Sequence, residues 1–287
     1  MDLSDTLPVA LPHLSKAKAP LTKAVEVLDE SGLVRQLFIP AERALTVYVD
    51  KRELVTLMTL GEHPEWLVLG YLQNQRLVDS VAEIESITVD WEVGAAAVKT
   101  RHGITDIAKR TEKRVVTTGC GQGSLFGDLL GAFEDITLPP STVTQTQLEA
   151  ITNTIRLQDS VYKQAGSVHG CALFSTEGET AEQLIFVEDV GRHNAIDTIA
   201  GWMWLQAENS VTGVNKVFYT TGRLTSEMVM KSAQMGIPIV VSRSGMTEMG
   251  LELAKKLGLC AIGRATNKRF LCFSAPERVV WQAVQAA

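Results

Sequence analysis

The sequence predicts a layered α/β protein: a small α+β unit followed by a larger domain whose sheet carries helices on both faces. Three observations lead there. From about residue 145 onward, short apolar and β-branched runs alternate with segments of helical periodicity, the pattern of an α/β layer structure. Between residues 45 and 100, strand-like runs instead surround one helical segment. The chain has 287 residues, 45% hydrophobic and 21% charged, which suits one large globular domain or two modest ones.

Residues 1–34 are rich in Pro, Lys, Ser and Ala and weakly periodic, so they read as a tail or as chain ordered only by docking. In the small unit, 35–113, Leu45, Val47 and Val49 alternate along one strand. Leu54, Thr56 and Met58 follow on the next, across an Asp50-Lys51-Arg52 turn. Pro64 suits the first position of a helix whose apolar content is Trp66, Leu67, Leu69, Tyr71 and Leu72. Strands at 84–91 and 95–100 complete this unit.

The larger domain, 114–287, begins with a short strand, Val115-Val116-Thr117-Thr118, that runs into the glycine-rich stretch Gly119–Ser124. A loop over 134–144 with Pro139-Pro140 precedes a helix over about 145–164. Strands at 168–175 and 183–187 join through a turn at Gly178. A helix (193–207), a strand (216–221), a helix (226–235) and a buried strand (237–242) follow. The helix at 246–257 is closed by Gly258, and strands at 259–263 and 270–274 end the pattern.

Charge and composition exclude several functions. The net charge of -6 makes the molecule as a whole a poor trap for nucleic acid or an anionic membrane. A local basic patch remains at 255–278, where six basic residues stand against the single acid Glu277. The N-terminus has acids where a secretory signal needs bases, and no stretch reaches the ~20 apolar residues of a membrane span. The expected location is the cytoplasm. The four cysteines, Cys120, Cys171, Cys260 and Cys272, fit a reducing compartment and contain no paired CxxC. Together with the absence of HExxH, this argues against zinc.

Chemistry concentrates in three stretches. In Thr118-Gly119-Cys120-Gly121-Gln122-Gly123-Ser124, a strand end presents one thiol among glycines, so a bulky reagent or another cysteine can approach it. Amides aimed at the sulfur would favour its thiolate, the form that accepts and surrenders a persulfide sulfur. The same pattern fits an incidental buried cysteine, and the Lys-Ser/Thr ending of a phosphate-binding P-loop is missing. The second stretch, Glu188 to Asp197 (EDVGRHNAID), packs polar residues at a strand-to-helix junction, where α/β sheets bind ligands. Asp189 or Asn194 can also act there simply as a helix cap. The third, Thr220 to Glu227, places Arg223 beside a helix N-terminus, and Ser242-Arg243-Ser244 repeats the theme one strand later. His169 fits either a site residue or a satisfied core histidine. Cys171, Cys260 and Cys272 read as core.

In this order, these stretches resemble the formate dehydrogenase accessory proteins, the FdhD sulfurtransferases. The likeness runs from about Glu42 to Ser274. EDVGRHNAID is its most specific part, supported by TTGRLTSEMVMKSAQMGIPIVVS at 220–242 and LELAKKLGLCAIGRATNKRF at 251–270. The resemblance implies a sulfur carrier that takes persulfide sulfur from a cysteine desulfurase. It passes that sulfur to the molybdenum cofactor, bis-molybdopterin guanine dinucleotide, for formate dehydrogenase. It implies a cytidine-deaminase-like three-layer α/β/α domain used without zinc, and a homodimer. Cys120 corresponds to the persulfide cysteine, and Arg264, Ala265, Thr266, Asn267, Lys268 and Arg269 to the cofactor-binding loop. With Arg192, His193, Arg223 and Ser226, that loop is expected to line a pocket for the guanine dinucleotide.

The chain departs from the family in three places. Many members carry Cys-x-x-Cys where this chain has Cys120-Gly121-Gln122-Gly123, Arg264 replaces the usual aromatic, and Ser167-Val168-His169-Gly170-Cys171 replaces Gly-Val-His-Ala-Ala. A single cysteine can still transfer sulfur directly to an acceptor. The missing second cysteine favours a rival reading, a cofactor-binding chaperone that moves no sulfur. A third reading, a nucleotide-binding regulator, predicts tight guanine nucleotide binding and indifference to cysteine substitution.

Overall fold

The computed structural model of the chain describes residues 11–104, 136–206 and 211–282, together with the backbone of two short strands at 115–116 and 123–124. The first unit contains β1 (His13–Leu14), β2 (Thr22–Leu28), β3 (Val34–Pro40), β4 (Arg43–Val49), β5 (Arg52–Thr59), α1 (Pro64–Asn74), β6 (Ile84–Asp90) and β7 (Ala95–Thr100). Five strands form a sheet in the order β1-β6-β7-β4-β5. The period-2 residues Leu45, Val47 and Val49 are buried against Leu67, Val68 and Leu72 of α1, so the alternation read in the sequence is the core face. Asp50 and Lys51 both take positive φ, as a tight two-residue hairpin turn requires.

The stretch from residue 13, read as tail or docked chain, is built into this unit. β1 pairs in parallel with β6, and Ser15 Oγ and Ala17 N both donate to the buried Glu65. β2 and β3 make a separate antiparallel hairpin, closed by Asp29, whose carboxylate accepts from Ser31 N, Leu33 N and Arg35 Nε.

The second unit contains β8 (Val115–Val116), β9 (Gly123–Ser124), β10 (Val143–Thr144), α2 (Gln145–Leu157), α3 (Val161–Ala165), β11 (His169–Ser175), β12 (Glu182–Asp189) and α4 (Arg192–Leu205). It continues with β13 (Lys216–Thr220), α5 (Ser226–Gln234), β14 (Ile239–Ser242), α6 (Glu248–Leu257), β15 (Cys260–Thr266), β16 (Arg269–Ser274) and β17 (Val279–Val280). The main sheet has six strands in the order β12-β11-β13-β14-β15-β16. β13, β14 and β15 are parallel and joined through α5 and α6, while the outer pairings are antiparallel.

Both faces of this sheet are covered, as expected of an α/β layer structure. Leu173, Phe218, Val240 and Ala261 pack against α4, α5 and α6, whereas Phe174, Val217, Ile239 and Ile262 pack against Leu148 and Ile151 of α2. The single helix expected over 145–164 is two. Gln158 leaves the helical conformation, and Ser160 accepts from Lys163 N to cap a new helix, an alternative partner that a serine offers the backbone. The two units meet chiefly where α1 crosses α4, and again where α3 lies against β3.

Candidate functional site

A cleft of about 650 Å³ opens on the α2 face, at the C-terminal ends of β13 and β14. Such strand ends are where parallel sheets bind ligands. Phe186, Glu188 and Tyr219 form its floor, and Thr221, Arg243 and Ser244 one side. Arg156 of α2 with Tyr162 and Lys163 of α3 stand opposite. The Glu188 carboxylate accepts from the amides of Val161 and Tyr162, so α3 is tied directly to the floor. Burial raises the Glu188 pKa and pushes the Tyr219 hydroxyl up to about 12, which keeps Tyr219 a hydrogen-bond donor.

The β15–β16 turn closes the cleft. Asn267 takes φ +51°, and its carbonyl accepts from Thr152 Oγ1 at 2.8 Å, which pins the turn to α2. Arg264 N donates to Ser244 O at 2.7 Å and fixes the start of the turn to the loop after β14. A shallower groove of about 600 Å³ continues past the turn, with Thr152, Arg156 and Asn267 common to both and Lys268 3.6 Å from Glu149 at its edge.

On the opposite face, residues 189–197 of the motif join the two units. Asp189 Oδ2 accepts from Thr59 Oγ1 and Leu60 N, and Oδ1 from Gly191 N and Asn194 Nδ2. Burial outweighs these four donors and raises Asp189 to about 6. Asn194 Nδ2 also reaches Met58 O at 2.6 Å. One turn on, Asp197 accepts from Asn74 Nδ2 and pairs with Lys231 Nζ at 2.8 Å, both partners of that ion pair being buried. His193 Nε2 lies 3.2 Å from Glu227 Oε2, yet neither ring nitrogen makes a hydrogen bond among the described residues. Burial, with Lys231, Arg192 and His169 nearby, holds the His193 pKa down to about 2, so the ring is neutral and this contact is not a charged pair.

The residues expected to bind cofactor therefore fall into two groups. Ala265, Thr266 and Asn267 line the cleft and Lys268 the outer groove, whereas Arg264 and Arg269 are exposed beside them. Arg192, His193 and Ser226 are buried at the junction, with Arg223 exposed above. His169 stands between the groups: it lines the cleft, and Arg192 and Arg223 act on it electrostatically. Cys120 lies outside the described residues. The strands that flank it in sequence, β8 and β9, pair antiparallel, Val116 with Gly123.

Cys171 and Cys260 are buried as expected, but Cys272 is only half-buried. Arg156, Tyr162, Lys163 and Phe186 were not singled out by sequence. They sit on ordinary helix and strand faces, and only the long-range fold gathers them. Among the described residues, no group of three or more His, Cys, Asp or Glu is placed to hold a metal ion, and no helix is long and apolar enough to cross a membrane.

A family model described as the FdhD/NarQ family matches residues 40–280. The chain belongs to the FdhD/NarQ family. Among its relatives, the sulfur carrier protein FdhD of Bacillus subtilis is 32% identical over 243 residues, covering 83% of this chain and 88% of that one. The sulfur carrier protein FdhD of Halalkalibacterium halodurans is 27% identical over 261 residues, covering 90% and 94%. A crystal structure assigned as a formate dehydrogenase accessory protein from Desulfotalea psychrophila superposes with a TM-score of 0.72 at 26% identity, covering 91% of this chain and all of that one. The FdhD/NarQ match takes in the first unit from β4 onward, the second unit with its cleft, and the junction network.

Proposed function

We propose that this chain is a sulfur carrier in the maturation of formate dehydrogenase, with Cys120 as the sulfur-bearing residue and the cleft as the seat of the acceptor. The observation that carries the acceptor site is the cleft itself. Its aromatic floor, Phe186 and Tyr219, suits a base, and Arg156, Lys163 and Arg243 around it suit a pyrophosphate. Its volume matches one guanosine diphosphate end of bis-molybdopterin guanine dinucleotide rather than the whole molecule. A homodimer would offer two such clefts to a substrate with two such ends.

In this reading the Cys120 thiolate attacks the outer sulfur of a cysteine desulfurase's persulfide and releases the desulfurase thiolate. A reduced metal centre of the acceptor would then take that sulfane sulfur, supply the two electrons that make it sulfide, and leave the Cys120 thiolate behind. The names of the Bacillus subtilis and Halalkalibacterium halodurans relatives support sulfur carriage. The test is intact-mass and peptide-mapped mass spectrometry after incubation with a cysteine desulfurase and cysteine. One reducible added sulfur on Cys120 supports the reading. Absence of added sulfur in a protein that still binds guanosine diphosphate supports a cofactor chaperone instead. Gly123, where many members have a second cysteine, is the observation that favours that alternative.

A further inference from the structure

Arg192 is 6% exposed, its Nε has no hydrogen-bond partner, and it forms no ion pair among the described residues. A guanidinium N–H withdrawn from water is costly unless an anion or acceptor meets it. The nearby carboxylate of Asp189 does not serve, because it is occupied by Thr59, Leu60, Gly191 and Asn194. The side chain lies across Gly222, where a Cβ would come 2.7 Å from Arg192 Cδ, so glycine there makes room for the arginine.

Two helices begin at this corner, α4 at Arg192 and α5 at Ser226, and neither has a side-chain cap hydrogen bond. The N-cap of α5, Thr225, has a buried Oγ1 with no partner among the described residues. The loop from Gly222 to Thr225 thus carries Arg192 Nε against one end and an unpartnered hydroxyl at the other, where α5 begins without a side-chain cap. The exposed Arg223 and the half-buried Thr221 and Gly191 leave the corner open to solvent.

We propose that this corner, bounded by Arg192, Arg223 and Thr225 at the start of α5, binds a single phosphoryl group. The guanidinium fork and a helix N-terminus both suit tetrahedral oxyanions. The source is either free inorganic phosphate or a phosphoryl group of a nucleotide substrate. In the second case the proposal rests on the functional reading above; in the first it stands on the geometry alone.

Thermal unfolding of the full chain tests it, in inorganic phosphate against chloride of equal ionic strength. Wild-type protein gains about 5 °C at saturating phosphate. Arg192→Met loses at least four-fifths of that gain, and the exposed Arg223→Gln about half. Lys99→Gln, on the surface pair with Glu85 far from the corner, keeps all of it. No gain in the wild type, or the full gain in both arginine variants, overturns the site; if Arg192→Met fails to fold, Arg223→Gln decides on the same terms. Guanosine diphosphate replaces phosphate in a second arm. A larger gain that Arg192→Met removes assigns the group to a nucleotide, and a gain equal to that of phosphate assigns it to free phosphate. Nucleotide binding that survives in Arg192→Met, with no phosphate effect, refutes this corner and leaves the cleft reading standing.

Discussion

Gly70 of α1 and Gly201 of α4 lie back to back where the two units meet. A Cβ on Gly70 would fall 1.7 Å from the carbonyl oxygen of Asp197, and one on Gly201 2.0 Å from that of Trp66. Each side is backbone, so nothing flexible can yield. Gly201→Ala must push the helices apart and is expected to cost about 3 kcal/mol or more, at the upper end of overpacking effects. Gly178→Ala, whose Cβ meets only Thr180 O at 3.6 Å, should change stability by less than about 0.5 kcal/mol. Urea unfolding of both variants checks this, and equal midpoints would refute a tight crossing.

Asp189 gives the junction a pH signature. Its folded pKa, about 6, lies above the unfolded value near 3.8, so the folded state holds the proton more tightly. Above pH 6 the carboxylate is ionised in both states and its burial counts fully against folding. As pH falls from 6 towards 4 the folded state takes up a proton first, and this contribution, on the order of 3 kcal/mol, is relieved. Wild type minus Asp189→Asn should therefore show a stability difference that shifts in favour of the wild type as pH is lowered through that window. A difference that is flat from pH 4 to 7 would refute the assignment.

The three described thiols should react in a fixed order. Burial pushes Cys171 up to about 12, and both the neighbouring Cys272 and burial raise Cys260. Cys272 is lowered by a hydrogen bond from Cys260 and is half-exposed. At pH 7.5 iodoacetamide should modify Cys272 at least about tenfold faster than Cys171 or Cys260 in the folded protein. Time-resolved peptide mapping measures this directly.

Arg243 stands on the cleft side at the end of β14 and is exposed. If the cleft takes a pyrophosphate, Arg243→Ala removes one charge-assisted hydrogen bond, worth about 1.5–3 kcal/mol. The Kd for guanosine diphosphate should rise at least about tenfold with an unchanged melting temperature. Calorimetric titration that finds the same Kd excludes Arg243 from the contact.

The α/β layering was legible because helix and strand periods alternate cleanly after residue 145, and the faces of β4 could be read from Leu45, Val47 and Val49 alone. The break between α2 and α3 was hidden, since Ser160 inside a polar helical run looks like any exposed helix residue until its hydroxyl is seen capping Lys163. The β2–β3 hairpin was hidden for a similar reason. Its turn is set by one side chain, Asp29, accepting from three later residues. Within EDVGRHNAID the concentration of polar residues was plain, but not its division of labour. Asp189, Asn194 and Asp197 bond to Thr59, Met58 and Asn74, more than 120 residues away in the chain, and no local pattern could announce those partners. The cleft was half-visible: Arg243 and the 264–269 turn follow strand ends, while Arg156 and Lys163 look like solvated helix charges.

The bond from Glu188 to the amides of Val161 and Tyr162 has a consequence for how the molecule can admit a substrate. α3 is a single helical turn with no buried residue of its own, and one carboxylate of an edge strand secures its N-terminus to the cleft floor. The entrance wall can thus be loosened by changing one acid that takes no part in the α1–α4 crossing or the Asp189 and Asp197 networks, although α3 also lies against β3 of the first unit. Access to the cleft is consequently set at a position apart from the α1–α4 crossing that holds the two units together.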